Sequence, residues 1–184
     1  VPSFNTNSVN VNLNGTPVTI SQQTGYPFGN KILLSIDGLN KPVRLNLKLF
    51  VPSWVHDPVI KKNHQQVDFQ VKNGFAIVSS RVRKGDLLEY TFIMNSGVEP
   101  VVNALHTPTG NGRLFYGPLL LGYEGTSEIE IPKDADVVIY DGNGFRIKGT
   151  NTVLSPVYHL MDAKVCKNTG YKKQILFKWA DKTS

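Results

Sequence analysis

Between Val43 and Leu49 the chain reads Val-Arg-Leu-Asn-Leu-Lys-Leu, apolar and polar side chains in strict alternation. Successive side chains of a strand point to opposite faces, so a period of two fits a strand with one face buried and the other wet. Residues 31–37 repeat the pattern less strictly and stop at Gly38. Further strand signals run over 67–71, 75–79, 87–94, 114–124, 137–140, 145–148 and 174–179. Lys72-Asn73-Gly74, Lys84-Gly85-Asp86 and Asp141-Gly142-Asn143-Gly144 punctuate them. These are hairpin residues, because Asn, Asp and Gly tolerate positive φ. No window of a dozen residues sustains a 3.6-residue period with helix caps. Short strands with frequent turns predict an all-β chain, an antiparallel β-sandwich of jelly-roll-like kind.

A chain of 184 residues buries roughly 70 % of its unfolded surface on folding, so the core needs no disulfide staple. The single Cys166 cannot form an internal disulfide and excludes a cysteine-based zinc cluster. No apolar run approaches the ~20 residues of a membrane helix, so membrane insertion is not expected. Val1-Pro2-Ser3 does not open a signal peptide, and the chain reads as cut from something longer. The expected organisation is one domain over 1–184. Residues 1–16 would form a linker or edge arm, and 149–173 an irregular crossing before the last strand. Twenty Lys and Arg against 14 Asp and Glu give a charge of +6. The basic residues are scattered in short groups rather than set in the contiguous stripe a polyanion needs, so nucleic acid is not an expected partner.

Chemistry is sparse. His56, His64, His106 and His159 form no paired metal spacing, and neither a metal nor a cofactor is expected. Glycoside hydrolysis needs two carboxylates facing each other across the scissile bond. Asp37, Asp86, Asp134, Asp136 and Asp141 sit in turn-like segments, and nothing pairs Glu89 with Glu124. No GxSxG elbow or phosphate-cradling glycine loop is present. Asp141-Gly142-Asn143-Gly144 begins like a calcium loop but lacks the later bidentate acid, and a tight turn explains it. Asn14-Gly15-Thr16 matches a glycosylation sequon, which matters only in a secreted eukaryotic chain.

Aromatic residues carry the candidate site. Trp54 follows Val51-Pro52-Ser53 with His56 and Asp57 beside it, and Tyr26 and Phe28 flank Pro27. Sugars stack an apolar ring face on a flat aromatic while nearby polar groups take the hydroxyls. Tyr26, Phe28, Trp54, His56 and Asp57 are therefore the candidate substrate-binding set, in loops at one sandwich edge. The alternative is that Trp54 closes the end of the core.

Four segments in order carry a family resemblance: Gln23–Gly29; Leu45–Trp54, ending Phe-Val-Pro-Ser-Trp; Asn73-Gly74-Phe75-Ala76-Ile77 followed by Arg83-Lys84-Gly85-Asp86; and Phe115–Glu124 with its Gly-Pro-Leu-Leu core. Together they resemble the β-sandwich that follows the catalytic barrel in bacterial β-L-arabinofuranosidases and their relatives, over about residues 18–125. The tail at 174–177 is also similar. Where such sequences carry Trp in an R-x-W-x-x-G-D stretch, this chain has Val82-Arg83-Lys84, with Arg81 available for the Arg position.

The resemblance implies a C-terminal, non-catalytic accessory domain of a larger glycoside hydrolase whose (α/α)6 barrel holds the catalytic acids and the zinc site. No role passes to Cys166. The implied partner is that barrel, with the Tyr26/Phe28 and Trp54/His56 loops as docking or cleft-edge elements. The chain is then not itself an enzyme, and its implied location is extracytoplasmic, periplasmic or cell-surface. The alternatives are an autonomous module binding an oligo- or polysaccharide, and a surface adhesion or assembly domain.

Overall fold

The structure, a computed structural model, describes residues 5–13, 15–142, 144–161 and 171–180. Val1-Pro2-Ser3, Asn14 of the sequon, Asn143, Cys166 and residues 162–170 of the expected crossing lie outside them. Strands make up most of the described chain, with one short helix, and the chain divides into two compact units, Val1–Met94 and Asn95–Ser184.

In the first unit the strands are β1 (Asn7–Leu13), β2 (Thr16–Thr24), β3 (Lys31–Gly38), β4 (Val43–Phe50) and β5 (Val55–Lys62). They continue with β6 (Gln65–Gln66), β7 (Gln70–Lys72), β8 (Phe75–Val82) and β9 (Leu87–Met94). One sheet has the order β1-β2-β3-β9-β5-β6 and the other β4-β8-β7, with every pairing antiparallel. The alternation of β4 is realised as read: Leu45, Leu47 and Leu49 are buried, while Arg44, Asn46 and Lys48 are exposed. Ala76, Val78 and Val82 of β8 join them, and Ile32, Leu34 and Ile36 of β3 with Leu88, Tyr90 and Phe92 of β9 supply the other buried face. Each such aliphatic side chain contributes about 1.5–3 kcal/mol on burial. The Tyr90 hydroxyl donates to the Phe50 carbonyl at 3.2 Å, linking the two sheets, and burial pushes its pKa to about 12.

Tight turns set the registers. Asn73 and Gly74 span Lys72 and Phe75, and Asn63 and His64 span Lys62 and Gln65. All four turn residues have φ between +48° and +74°, the conformation that matches two-residue hairpins to strand twist.

Two strands of this unit escape the sequence pattern for identifiable reasons. In β2 the buried positions are Thr16, Val18, Ile20 and Gln22, so two of the four are polar. In β5 the register shifts between His56 and Val59, and Pro58 sits in the bulge, where a missing N–H costs no ladder bond.

The second unit holds β10 (Ser96–Val102), β11 (Pro108–Tyr116), β12 (Leu119–Gly125), β13 (Glu130–Ile131), β14 (Val137–Tyr140) and β15 (Gly144–Ile147). After these come β16 (Val153–Pro156), the one-turn α1 (Val157–Leu160), β17 (Lys172–Gln174) and β18 (Phe177–Trp179). They form a sheet of order β13-β18-β11-β12-β16-β15-β14, with β10 added on β11 and β17 on β12. The single parallel pairing among described strands is β13 with β18. Leu114, Leu121, Ile131, Phe145, Leu154 and Phe177 are essentially inaccessible to solvent. The expected strand over 114–124 is in fact two: Gly117 and Pro118 turn the chain between Tyr116 and Leu119, with Gly117 at φ +52°. The expected strand over 174–179 likewise breaks at residues 175–176 into β17 and β18.

Candidate functional site

Three elements of the first unit build the aromatic cluster. The end of β2 leads into a compact turn in which Gly25 O accepts from Phe28 N at 3.1 Å and from Gly29 N at 2.8 Å. The Tyr26 amide donates to Thr24 Oγ1 at 3.0 Å, and the Tyr26-Pro27 peptide is cis. This turn presents Tyr26 to Trp54, which precedes β5. Their rings stack with centroids 5.8 Å apart and planes 20° apart. Trp54 in turn meets Phe92 of β9 edge to face at 6.0 Å, and Phe92 packs on Tyr90 at 5.2 Å. Such aromatic contacts add about 0.5–1.5 kcal/mol beyond area burial. Tyr26, Phe28 and Trp54 are half-buried, whereas Phe92 and Tyr90 are buried. Burial raises the Tyr26 pKa. The cluster thus runs from the core to the surface.

His56 and Asp57 are exposed, and both lie within β5 rather than in a loop. His56 stands opposite Ile93, and Asp57 occupies the bulge at φ +45°. Bulges re-aim side chains, and here two polar groups follow directly on the stacked pair. The structure therefore brings Tyr26 and Trp54 together, places Phe28 in the adjoining turn, and sets His56 and Asp57 at the start of the next strand. Phe92, the floor on which Trp54 rests, was not singled out as a site residue. Its signal was its inward parity with Leu88 and Tyr90.

The Arg83-Lys84-Gly85-Asp86 motif has a different role. Asp86 is only 3 % exposed and makes four contacts with three residues. Lys62 Nζ lies 2.9 Å from Oδ2 and Arg83 Nε 3.6 Å from Oδ1; Asn63 Nδ2 donates to Oδ1 at 2.9 Å and the Arg83 amide to Oδ2 at 3.0 Å. Asn63 Oδ1 accepts from the Leu87 amide at 2.9 Å. Burial alone would raise the Asp86 pKa, but the Asn63, Lys62 and Arg83 bonds outweigh it and leave the pKa lowered. The motif clamps the β8–β9 turn to the β5–β6 turn. In the second unit Asp136 is more exposed than Asp86 but also well bonded: Ser96 Oγ donates at 2.5 Å, the Val137 amide at 2.8 Å, and Lys148 Nζ approaches to 3.6 Å. The Ser96 bond is the main reason its pKa is lowered.

Among the described residues no three of His, Cys, Asp and Glu gather as a metal site would require. Among the described residues no helix is long and apolar enough to cross a membrane.

Solved structures share the fold, among them the following three. A GH127 β-L-arabinofuranosidase from Geobacillus stearothermophilus T6 aligns with 97 % of this chain and 33 % of its own, at 18 % identity and a TM-score of 0.69. A second, described as a glycoside hydrolase, aligns over 97 % and 35 % at 18 % identity and a TM-score of 0.70. The GH127 β-arabinofuranosidase BT3674 aligns over 95 % and 34 % at 16 % identity and a TM-score of 0.66. The chain thus spans about a third of the length of the structures it matches. No curated protein matches it significantly. Residues 1–94, the whole of the first unit, match the family model described as β-L-arabinofuranosidase, GH127 middle domain. By that match the chain belongs to the GH127 middle-domain family of glycoside hydrolases.

Proposed function

We infer that this chain is a non-catalytic accessory region of a larger glycoside hydrolase, following the catalytic barrel and packing on it. The observation that carries this reading is the middle-domain match over residues 1–94, in a chain that spans about a third of its structural relatives. The half-buried Tyr26–Trp54 pair supports a docking role, because aromatic surface left partly open gains by being covered. In this reading the domain stabilises the barrel and borders its cleft. The test is an assay of the 184-residue chain against aryl-arabinosides, alone and mixed with the catalytic portion of a parent enzyme. No turnover alone, with a raised thermal midpoint for the mixture, is the expected result. Reproducible hydrolysis by this chain alone overturns the reading.

A second reading is supported by the same cluster: an autonomous carbohydrate-binding module in which Tyr26 and Trp54 receive a sugar ring beside His56 and Asp57. It predicts saturable binding of a neutral pectic or arabinan ligand. No calorimetric response to any such ligand removes it.

A further inference from the structure

In the β4–β8 ladder Arg44 stands directly opposite Arg81, and both side chains are exposed. Like charges directly opposite one another destabilise a sheet. No Asp or Glu among the described residues forms an ion pair with either. Arg44 Nε instead donates to Ser79 Oγ at 2.9 Å. Pro42, Arg44, Ser79 and Arg81 line an open groove of about 510 Å³.

The same outward face continues along the strands. Asn46 stands opposite Ser79, Lys48 opposite Ile77, and Phe50 opposite Phe75. The last pair brings its rings to 5.6 Å, and both are half-buried. From β7, Gln70 aligns with Ile77 and Lys72 with Phe75. No carboxylate occurs among these face positions. From Arg44 to Phe50 the face is about 20 Å long at ~3.3 Å per residue.

The geometry points to a binding face for an oligosaccharide bearing uronate carboxylates. Paired guanidinium groups suit planar carboxylates, which take two parallel N–H bonds from each fork. Half-exposed aromatic rings suit the apolar face of a sugar, and the Asn46 and Ser79 side chains between them suit hydroxyls. A nucleic acid instead rewards positive charge at every phosphate along its path, whereas here the guanidinium groups are paired at one end and beyond them only Lys48 and Lys72 follow, with neutral Asn46, Ser79 and Gln70 between. This face lies on the β4-β8-β7 sheet, whereas Tyr26 follows β2 and Phe92 lies on β9 of the other sheet, and the proposal does not depend on the chain packing against a catalytic barrel.

The experiment is calorimetric titration of the whole chain with oligogalacturonate, its methyl-esterified counterpart, and oligothymidylate of equal charge. Saturable binding of oligogalacturonate, weaker for the ester, is expected. The Arg44→Gln/Arg81→Gln double variant loses affinity by roughly tenfold or more, as loss of charge-assisted bonds implies. Its thermal midpoint stays the same or rises, because the like-charge pair is gone. The Arg44→Lys/Arg81→Lys variant, which keeps the charge and loses the fork, binds with intermediate affinity. Equal binding of the ester, equal or tighter binding of oligothymidylate, unchanged binding by the glutamine variant, or no binding of oligogalacturonate each overturns the proposal.

Discussion

Lys62 Nζ lies 2.9 Å from Oδ2 of the buried Asp86, an ion pair that ties a strand of one hairpin to the turn of another. Lys62 also donates to the Arg81 carbonyl, and Asn63 beside it bonds both the carboxylate and the backbone that follows it. The Gly-Asp motif that supports the family resemblance is therefore a structural clasp, distant in role from sugar chemistry.

Removing one partner of a buried pair strands the other. Asp86→Ala is expected to lower unfolding stability by about 3 kcal/mol, measured by urea denaturation. A loss under about 1 kcal/mol would show that the clasp is dispensable.

The pH dependence has a definite sign. Asp86 and Asp136 both have folded pKa values below the ordinary 3.8. Their contribution is complete above 3.8 and is lost as pH falls through the lowered folded values. The thermal midpoint should drop steeply below pH 3.8, and Asp86→Ala should flatten that limb relative to the parent chain. Parallel acid limbs for the two proteins would contradict the assignment.

Trp54 rests on the buried Phe92 as well as on Tyr26. Trp54→Ala should cost ~2 kcal/mol, less than the 3–5 of a fully buried Trp because the residue is half-exposed. Trp54→Phe should recover part of it. An unchanged denaturation midpoint in Trp54→Ala would mean that the ring serves a ligand or partner alone.

Gly112 of β11 leaves room for the indole of Trp179. A Cβ there would lie 2.2 Å from Trp179 Cη2 and 2.4 Å from Val98 Cγ1. Gly112→Ala should cost about 1–3 kcal/mol through overpacking. In a Trp54→Phe background, where Trp179 is the remaining tryptophan, its emission should shift to the red. Unaltered emission and stability would show that the indole shifts aside at no cost.

The sequence was most legible where one face of a strand is buried without exception. In β4 every inward position is apolar and every second residue polar, so the pattern and the burial coincide. It was least legible where the interior accepts polar groups or the ladder is interrupted. Gln22 is buried in β2, where its Nε2 donates to the Asn5 carbonyl at 2.6 Å. A buried amide with a partner is tolerated, but it erases the alternation. Pro58 and the bulge did the same to β5. Gly117-Pro118 was visible as a pair, yet the apolar run around it read as one strand because both arms carry apolar residues on both faces, the exposed Leu120 included.

The candidate site divides the same way. That Tyr26 and Trp54 belong together could be suggested from residue type, but their stacking depends on a turn and a bulged strand 28 residues apart in sequence, joined only by the β2-β3-β9-β5 order. Local alternation determined the all-β class, because side-chain direction along a strand is a property of the backbone itself. Which polar and aromatic residues meet was decided by strand order and register, which no local pattern encodes. The scattered basic residues illustrate this: Arg44 and Arg81, 37 positions apart, became opposite neighbours only when β4 and β8 paired.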